Sequence, residues 1–310
     1  MIEVAIMVEG QNGLNWPHWQ QIAVAVEELG FAGLYRSDHY TNPSPPDLDS
    51  LELWVSLTWL ASHTRRIEFG PLVSPVSFRQ PTMTARMASA IDDLSAGRLT
   101  LGLGAGWQKR DHTNYGWELL DVPRRFARFE EALEIITRML SSDQPVDFQG
   151  DFYRLQEARM LPRPERPGGP PILIGGRGPR YTLPLVARYA SEWNAMYVPA
   201  ATFDELNTHL DELLSARGRP QTEVRRSLMT LFCFGRDGAE ASRKATALYG
   251  REASELREEG AIVGAAGDVV DQLGRLSEVG VERVMLQWLN LDDLNGLEAF
   301  AHTVLPQLKH

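Results

Sequence analysis

The sequence predicts an α/β fold, a TIM (β/α)8 barrel with insertions, and three observations carry that expectation. Short apolar runs alternate with longer helical patterns almost from end to end, the mark of a parallel sheet wrapped in helices. Eight such strand–helix units can be counted, the number that closes a barrel. A chain of 310 residues is also a common size for an α/β barrel folding as one domain. A doubly wound open sheet is the runner-up, but it needs fewer strands and a first-turn dinucleotide motif that this chain lacks.

Taken in order, the first unit is a run at 4–8 followed by a helix over about 16–29. The second pairs 33–36 with 48–63, the third 67–73 with 82–94, and the fourth 99–103 with 124–140. In the second half, 172–174 precedes a helix over 179–189, and 192–196 precedes one over 203–217. The last two units pair 227–234 with 239–248 and 283–289 with 294–308. Two stretches interrupt the repeat, so a single domain over 1–310 with insertions at about 143–171 and 249–267 is expected. The first alternates with period two in "VDFQGDFYRL", which predicts a hairpin, before a Pro/Arg/Gly-rich tail. The second is glutamate-rich, then small and apolar, and is expected to add helix beside the seventh unit.

Composition excludes several functions. A formal net charge of −10 and no basic stripe argue against nucleic-acid binding. Cys233 is the sole cysteine, which excludes an internal disulfide and a cysteine-based zinc site. Its neighbours Leu231, Phe232 and Phe234 make it a core thiol. The N-terminus carries no signal-peptide pattern and no apolar run reaches membrane-span length, so a soluble, cytoplasmic protein is expected.

Barrel active sites are built on the loops that follow the C-terminal ends of the strands. That rule selects Glu9-Gly10-Gln11-Asn12, Ser37-Asp38-His39, Val73-Ser74-Pro75 and Gly104-Ala105-Gly106-Trp107. The second half adds Gly175-Gly176-Arg177-Gly178, Tyr197-Val198, Gly235 and Gln287-Trp288. In "ILIGGRGPR" the glycines let backbone N–H groups approach an anion, and Pro179 suits a first helical turn. Arg177 and Arg180 add cationic donors, although a plain strand–helix turn also favours glycine. In "LGLGAGW", Gly102, Gly104 and Gly106 require either a sharp turn or a close approach, and Trp107 offers an apolar wall. Asp38 and His39 form a candidate acid/base pair, His39 titrating near neutrality, or else ordinary turn residues. No metal-ligand spacing accompanies them.

Five stretches, "GFAGLYRSDHY", "SPVSFRQP", "ASAIDDLSAGRLTLGLGAGW", "RRFARFEEALEIITRML" and "PPILIGGRGP", occur in that order at fitting intervals. Together they resemble the bacterial luciferase-like superfamily, specifically its coenzyme F-420-dependent (deazaflavin) branch. The resemblance implies a luciferase-like barrel and a hydride transfer between F-420 and a small organic substrate. It places His39 beside the cofactor ring with Asp38 as its orienting partner. It implies a non-prolyl cis peptide near Leu72-Val73 with Ser74 next to it. Gly104, Ala105, Gly106 and Trp107 would line the cofactor's side chain. His112 and Tyr115 would lie near the phosphate, with Gly175, Gly176, Arg177 and Gly178 as the phosphate loop. Gln11, Asn12, Trp193 and Trp288 are expected at the substrate pocket, with Trp16 a further candidate wall. Sugar-phosphate dehydrogenases of this superfamily carry a glutamate where this chain has Trp107, which favours a more apolar substrate. Two alternatives accompany this reading: an FMN-dependent monooxygenase served by a separate reductase, and a non-catalytic flavin-binding paralogue. A homodimer is expected, and a flavin or F-420 reductase is the implied partner.

Overall fold

The computed structural model describes residues 2–308. Eight parallel strands form the barrel: β1 (Glu3–Val8), β2 (Gly33–Arg36), β3 (Glu68–Pro71), β4 (Leu101–Gly104), β5 (Ile172–Gly175), β6 (Glu192–Met196), β7 (Arg225–Phe234) and β8 (Arg283–Gln287). β1 pairs with β2 and β8, β8 with β7, β7 with β6, β6 with β5, β5 with β4, and β2 with β3. β3 then breaks at Leu72-Val73 and resumes as Ser74–Pro75, which pairs with Leu103-Gly104 of β4. A bridge between Phe69 and Leu99 completes the ring.

Side chains alternate along the strands with period two. Ala5, Met7, Tyr35, Leu72, Leu173, Met229 and Met285 pack together inside the barrel. Val4, Ile6, Val8, Leu34 and Phe69 join the larger core beneath the helices. At the N-terminal end of the strands an ionic cluster fills the floor. The buried Arg283 guanidinium donates to Tyr35 Oη at 2.7 Å, Glu3 Oε2 at 2.8 Å, Glu68 Oε2 at 2.7 Å and Glu192 Oε2 at 3.4 Å.

Among the described residues eleven α-helices lie around the strands: α1 (Trp16–Glu28), α2 (Leu53–His63), α3 (Pro81–Leu94), α4 (Lys109–Tyr115), α5 (Val122–Ser141), α6 (Thr182–Tyr189), α7 (Ala200–Ala216), α8 (Gly238–Tyr249), α9 (Ala253–Glu258), α10 (Ala266–Glu278) and α11 (Leu294–Thr303). Local chemistry sets several starts. Asn15, Asp121, Asp237 and Asp293 each accept a hydrogen bond from the first turn of the helix they precede. No helix is long and apolar enough to cross a membrane among the described residues.

The eight strands stand within two residues of where the sequence puts them, and four helical boundaries differ by three residues or more, one of them that of α7, expected from 203 and beginning at Ala200. The helix expected from residue 48 begins at Leu53, because Leu51 and Glu52 give their carbonyls to Arg36 and the Glu52 carboxylate caps Val55 N–H. The helix expected from Pro179 begins at Thr182, with Pro179 in the preceding turn. The helix expected to run to 308 ends at Thr303, and a 3-10 turn covers Leu305–Leu308. The hairpin in the first insertion is present as Val146–Gln149 against Arg154–Ala158. The second insertion contains α9 and a short strand, Ile262–Gly264, that extends β7 by pairing with Phe232-Cys233-Phe234. Helices α4 and α10 are additional to the sequence reading, although Val269, Leu273 and Leu276 bury one face of α10 at helical spacing.

The strand-four glycines answer to backbone crowding. A Cβ on Gly70 would collide with the Thr100 carbonyl oxygen, and one on Gly102 with the Pro71 carbonyl oxygen. A Cβ on Gly104 would lie 2.6 Å from Val73 Cγ2, and one on Gly175 would lie 2.9 Å from Val73 Cγ1. The object these glycines make room for is therefore the β3 break itself. Gly102→Ala is expected to lower stability by about 1–3 kcal/mol, since backbone must shift. The exposed Gly274→Ala in α10, where a Cβ meets nothing within 4 Å, should raise it by about 0.5–1 kcal/mol. Urea midpoints of the two variants check this; equal midpoints would remove the crowding argument.

Candidate active site

The C-terminal ends of β1 to β4 gather a polar mouth around His39. β2 ends at Arg36, whose buried guanidinium bonds Ser56 Oγ at 2.7 Å and the carbonyls of Ser37, Leu51 and Glu52. It ties the loop after β2 to α2. Asp38 is buried, and its carboxylate accepts both guanidinium nitrogens of Arg79, at 2.5 and 3.2 Å, and the Ser74 hydroxyl at 2.7 Å. Arg79 also donates to Tyr40 Oη at 2.8 Å and Glu52 Oε1 at 2.9 Å. Burial pushes the Asp38 carboxyl up, and Arg79 works against that shift.

His39 is thereby aimed away from Asp38. Its Nδ1 lies 2.6 Å from Asp111 Oδ2, so the orienting partner is Asp111 on α4 and not the expected Asp38. Asp111 Oδ1 accepts from Tyr40 N at 3.1 Å, Thr41 N at 2.9 Å and Thr41 Oγ1 at 2.9 Å. Burial alone would pull the His39 pKa down. The hydrogen bond to Asp111, with the charges of Glu9, Asp111 and Asp38, outweighs burial and holds it above the ordinary value. Burial likewise favours a neutral Asp111, but the bond and charge of His39 and the Thr41 and Tyr40 donors keep its carboxyl below the usual range. His39 Nε2 has no partner among the described residues. The ring meets Trp107 edge-on, centroids 5.5 Å apart at 78°.

The other expected site residues divide into two groups. At the mouth, Leu72 and Val73 are joined by a cis peptide bond and pack with Met196 and Tyr197. Gln11 accepts the Ser37 hydroxyl at 2.8 Å and donates to Glu9 Oε2 at 3.0 Å, while Asn12 bonds the Leu289 carbonyl at 3.0 Å. Trp107 is 58% exposed at the rim. Ala105 is buried, and Gly106 has φ +84 and adjoins Ser77. Gly175 ends β5 and Gly176 follows it with φ +132, which favours glycine. The Gly176 N–H is committed to the Asn194 carbonyl at 2.9 Å. That leaves the N–H groups of Arg177 and Gly178 without a partner among the described residues. Arg177 is exposed and donates to the Tyr197 carbonyl at 3.0 Å.

The second group is structural. His112 is buried with Nδ1–H on the Gln108 carbonyl at 2.7 Å and Nε2 beside Ser77 Oγ at 2.9 Å, so neither nitrogen is open to a phosphate. Burial lowers its pKa. Tyr115 joins Tyr40, Phe78 and Trp117 in an aromatic cluster. Trp193 is buried against Phe203 of α7, outside the barrel, where its Nε1–H holds the Gly176 carbonyl at 2.8 Å. Trp288 packs on Phe232 in a crevice of about 110 Å³ beside α8. Trp16 packs on Trp59 of α2. Trp193 and Trp288 point outward from the strands, as period two dictates, Trp16 opens helix α1, and none of the three lines the mouth.

The sequence reading selected Glu9, Tyr197 and Gln287 by the strand-end rule without giving them a role, and did not select Asp111, yet the four build the polar frame. Gln287 Nε2 donates to Glu9 Oε1 at 2.6 Å and to Tyr197 Oη at 2.9 Å. For Glu9, Tyr197 and Gln287 the position at a strand end was the available signal, whereas Asp111, inside α4, carried none. A larger crevice of about 390 Å³ lies at the other end of the barrel, among Glu68, Arg98, Glu192, Arg225 and Glu282. The strand-end rule assigns that end to stability, and the chemistry to the mouth. Among the described residues no group of three or more His, Cys, Asp or Glu side chains is placed to hold a metal ion.

The family model for luciferase-like monooxygenases matches residues 3–272. The chain belongs to that family. Among curated luciferase-like relatives, an F-420-dependent glucose-6-phosphate dehydrogenase of Kineococcus radiotolerans is 27% identical over 278 residues, covering 87% of this chain and 78% of its own. The 4-hydroxyprotoasukamycin monooxygenase of Streptomyces nodosus subsp. asukaensis is 31% identical over 58% of this chain, which spans 48% of that protein. An F-420-dependent secondary alcohol dehydrogenase, solved with an F-420–acetone adduct, superposes with a TM-score of 0.87 over 100% of this chain and 99% of its own. At 17% identity that likeness establishes the shared luciferase-like fold.

Removing Arg79 would leave Asp38 buried and unpaired. Arg79→Met is expected to lower stability by about 3–5 kcal/mol. Adding Asp38→Asn should recover part of the loss, because the uncompensated charge goes too. Thermal melts of the single and double variants test the pairing; a double variant no better than the single would contradict it.

Proposed function

We propose that this chain is a coenzyme F-420-dependent oxidoreductase that moves a hydride between the deazaflavin and a small organic substrate. The observation that carries the reading is the free Nε2 of His39 at the mouth of a luciferase-like barrel, on the loop that Ser74, next after the Leu72-Val73 break, ties down through Asp38. The residues present suit such a coenzyme. Leu72, Val73, Met196 and Tyr197 offer an apolar surface for a flat ring. Arg177, Arg180 and the Arg177 and Gly178 N–H groups offer donors and positive charge to an anionic tail. The coenzyme, when bound, supplies the hydride-carrying carbon, and the chain supplies orientation and electrostatics.

In this reading His39 handles the substrate's proton at Nε2. Asp38, once the candidate partner, acts through Arg79 and Ser74 to hold the peptide from which His39 projects. Trp107 closes one side of the mouth and narrows the access of water. Glu9, Gln11, Tyr197 and Gln287 form the polar side against which a substrate oxygen would rest. The catalytic unit is the whole chain, 1–310, as one barrel domain. A cytoplasmic homodimer, with a separate reductase to renew the coenzyme, belongs to the same proposal. The second reading, an FMN-dependent monooxygenase, is favoured by the likeness to the asukamycin-type enzyme and by an indole where the sugar-phosphate dehydrogenases carry an acid.

Titration with F-420 and with FMN, followed by absorbance and fluorescence, separates the two. Binding of F-420 and its reduction by small alcohols are expected; tight FMN binding with no F-420 binding would sink the leading reading. His39→Ala should lower turnover about 10²–10⁴-fold. For substrate oxidation the proton acceptor is neutral His39, so kcat/KM should rise with pH through a midpoint above about 6.5, since the pKa is raised. A midpoint below that value, or a flat profile, would remove His39 from proton transfer.

A further inference from the structure

We infer that Asp111 is the positioning residue of this mouth, fixing the tautomer of His39 so that its neutral ring presents a bare Nε2 lone pair. The inference rests on the reading of His39 as the proton-handling group. An ionised carboxylate only accepts hydrogen bonds. Three donors, Tyr40 N, Thr41 N and Thr41 Oγ1, converge on Asp111 Oδ1 and fix the carboxylate's rotation. Oδ2 is then directed at His39 Nδ1, 2.6 Å away, and the only proton that satisfies this contact is one on Nδ1. In a neutral imidazole with Nδ1–H, Nε2 is the acceptor.

Nothing else near the ring competes for that choice. Trp107 meets the ring by its edge and takes no hydrogen bond from it. The charged groups that act on the ring are Glu9 beyond β1, Asp38 beyond β2 and Asp111 on α4, and of these only Asp111 touches it. Asp111 lies four residues after Trp107, so the group that orients the imidazole and the indole that flanks it belong to one short stretch of chain at the start of α4. A structural clip for Tyr40 and Thr41 would need only the Oδ1 contacts. The short Oδ2 contact is the part such a clip does not require.

The substitution Asp111→Asn separates the two roles. Its Oδ1 can keep the Tyr40 and Thr41 donors, while its Nδ2 would donate to Nδ1 and drive the ring proton to Nε2. We expect nitrogen-15 NMR of the coenzyme-free protein to show His39 with Nδ1–H in the parent and Nε2–H in the variant, with a lower His39 pKa. Turnover should fall about 10²–10³-fold with coenzyme Kd changed less than about 3-fold. Asp111→Glu, which keeps a carboxylate, should restore the Nδ1–H tautomer and part of the rate. An Asp111→Asn protein that keeps the parent tautomer and pKa overturns the inference, as does an inverted tautomer with undiminished turnover. Absence of any F-420 reaction in the parent would count against the function proposed above. The tautomer measured without coenzyme would still decide the role of Asp111.

Discussion

The crossing of β3 and β4 constrains everything at the mouth. Gly70 and Gly102 let the two strands approach until a side chain on either would strike a carbonyl of the other. At that distance β3 cannot continue as a regular ladder, and it breaks at Leu72-Val73. The Val73 side chain then fills the space left by Gly102, Gly104 and Gly175. When the strand resumes, Ser74 and, five residues later, Arg79 face Asp38. One close packing of glycines thus decides where a buried carboxylate is anchored, and so where the next residue, His39, projects.

The two buried aspartates at this end of the barrel are paired separately. Asp38 is matched by a bidentate guanidinium that is always ionised, and it is closed off from the mouth. Asp111 is matched by an imidazole, which titrates, and by three neutral donors that keep it ionised when the imidazole is not. The first pair can only hold the loop. The second can change charge with the reaction, because a carboxylate with several fixed donors stabilises an imidazolium without itself taking the proton. The buried acids Asp38 and Asp111 therefore have different work, and the bond to the titrating ring, which only Asp111 makes, separates them.

How far the sequence could be read follows the same physics. The strands were legible because continuous apolar runs bounded by turn residues admit little else, and the helix starts at Asn15, Asp121, Asp237 and Asp293 carry their own caps. Glycine positions were legible as close approaches, but not what approaches: Gly102 faces the Pro71 carbonyl, and Gly104 and Gly175 face Val73 in the β3 break. The Asp38-His39 dipeptide invites pairing of neighbours, whereas adjacent side chains on extended backbone face opposite ways. His39 finds its acid 72 residues away. The tryptophans misled for a related reason. Trp193 and Trp288 sit at strand ends, but at outward positions, and composition cannot tell the inner phase from the outer without the register.

The two ends of the barrel interior divide stability from chemistry. At the floor Arg283 is surrounded by Tyr35, Glu3, Glu68 and Glu192, with Arg225 close by, and an apolar layer of Ala5, Met7, Leu173, Met229 and Met285 lies above it. That layer lies between the floor charges and the mouth, where Glu9, Gln287 and Tyr197 begin again as a polar frame. An apolar layer does not screen charge; the floor carboxylates are instead held on Arg283 and Arg225, and none of them is among the groups that act on the titration of His39. The groups that do act on His39 are the ones above the layer, Glu9, Asp111 and Asp38. All three are acidic and each raises its pKa, so the mouth is built to favour the protonated ring electrostatically while geometry leaves Nε2 as the only nitrogen through which that proton can pass.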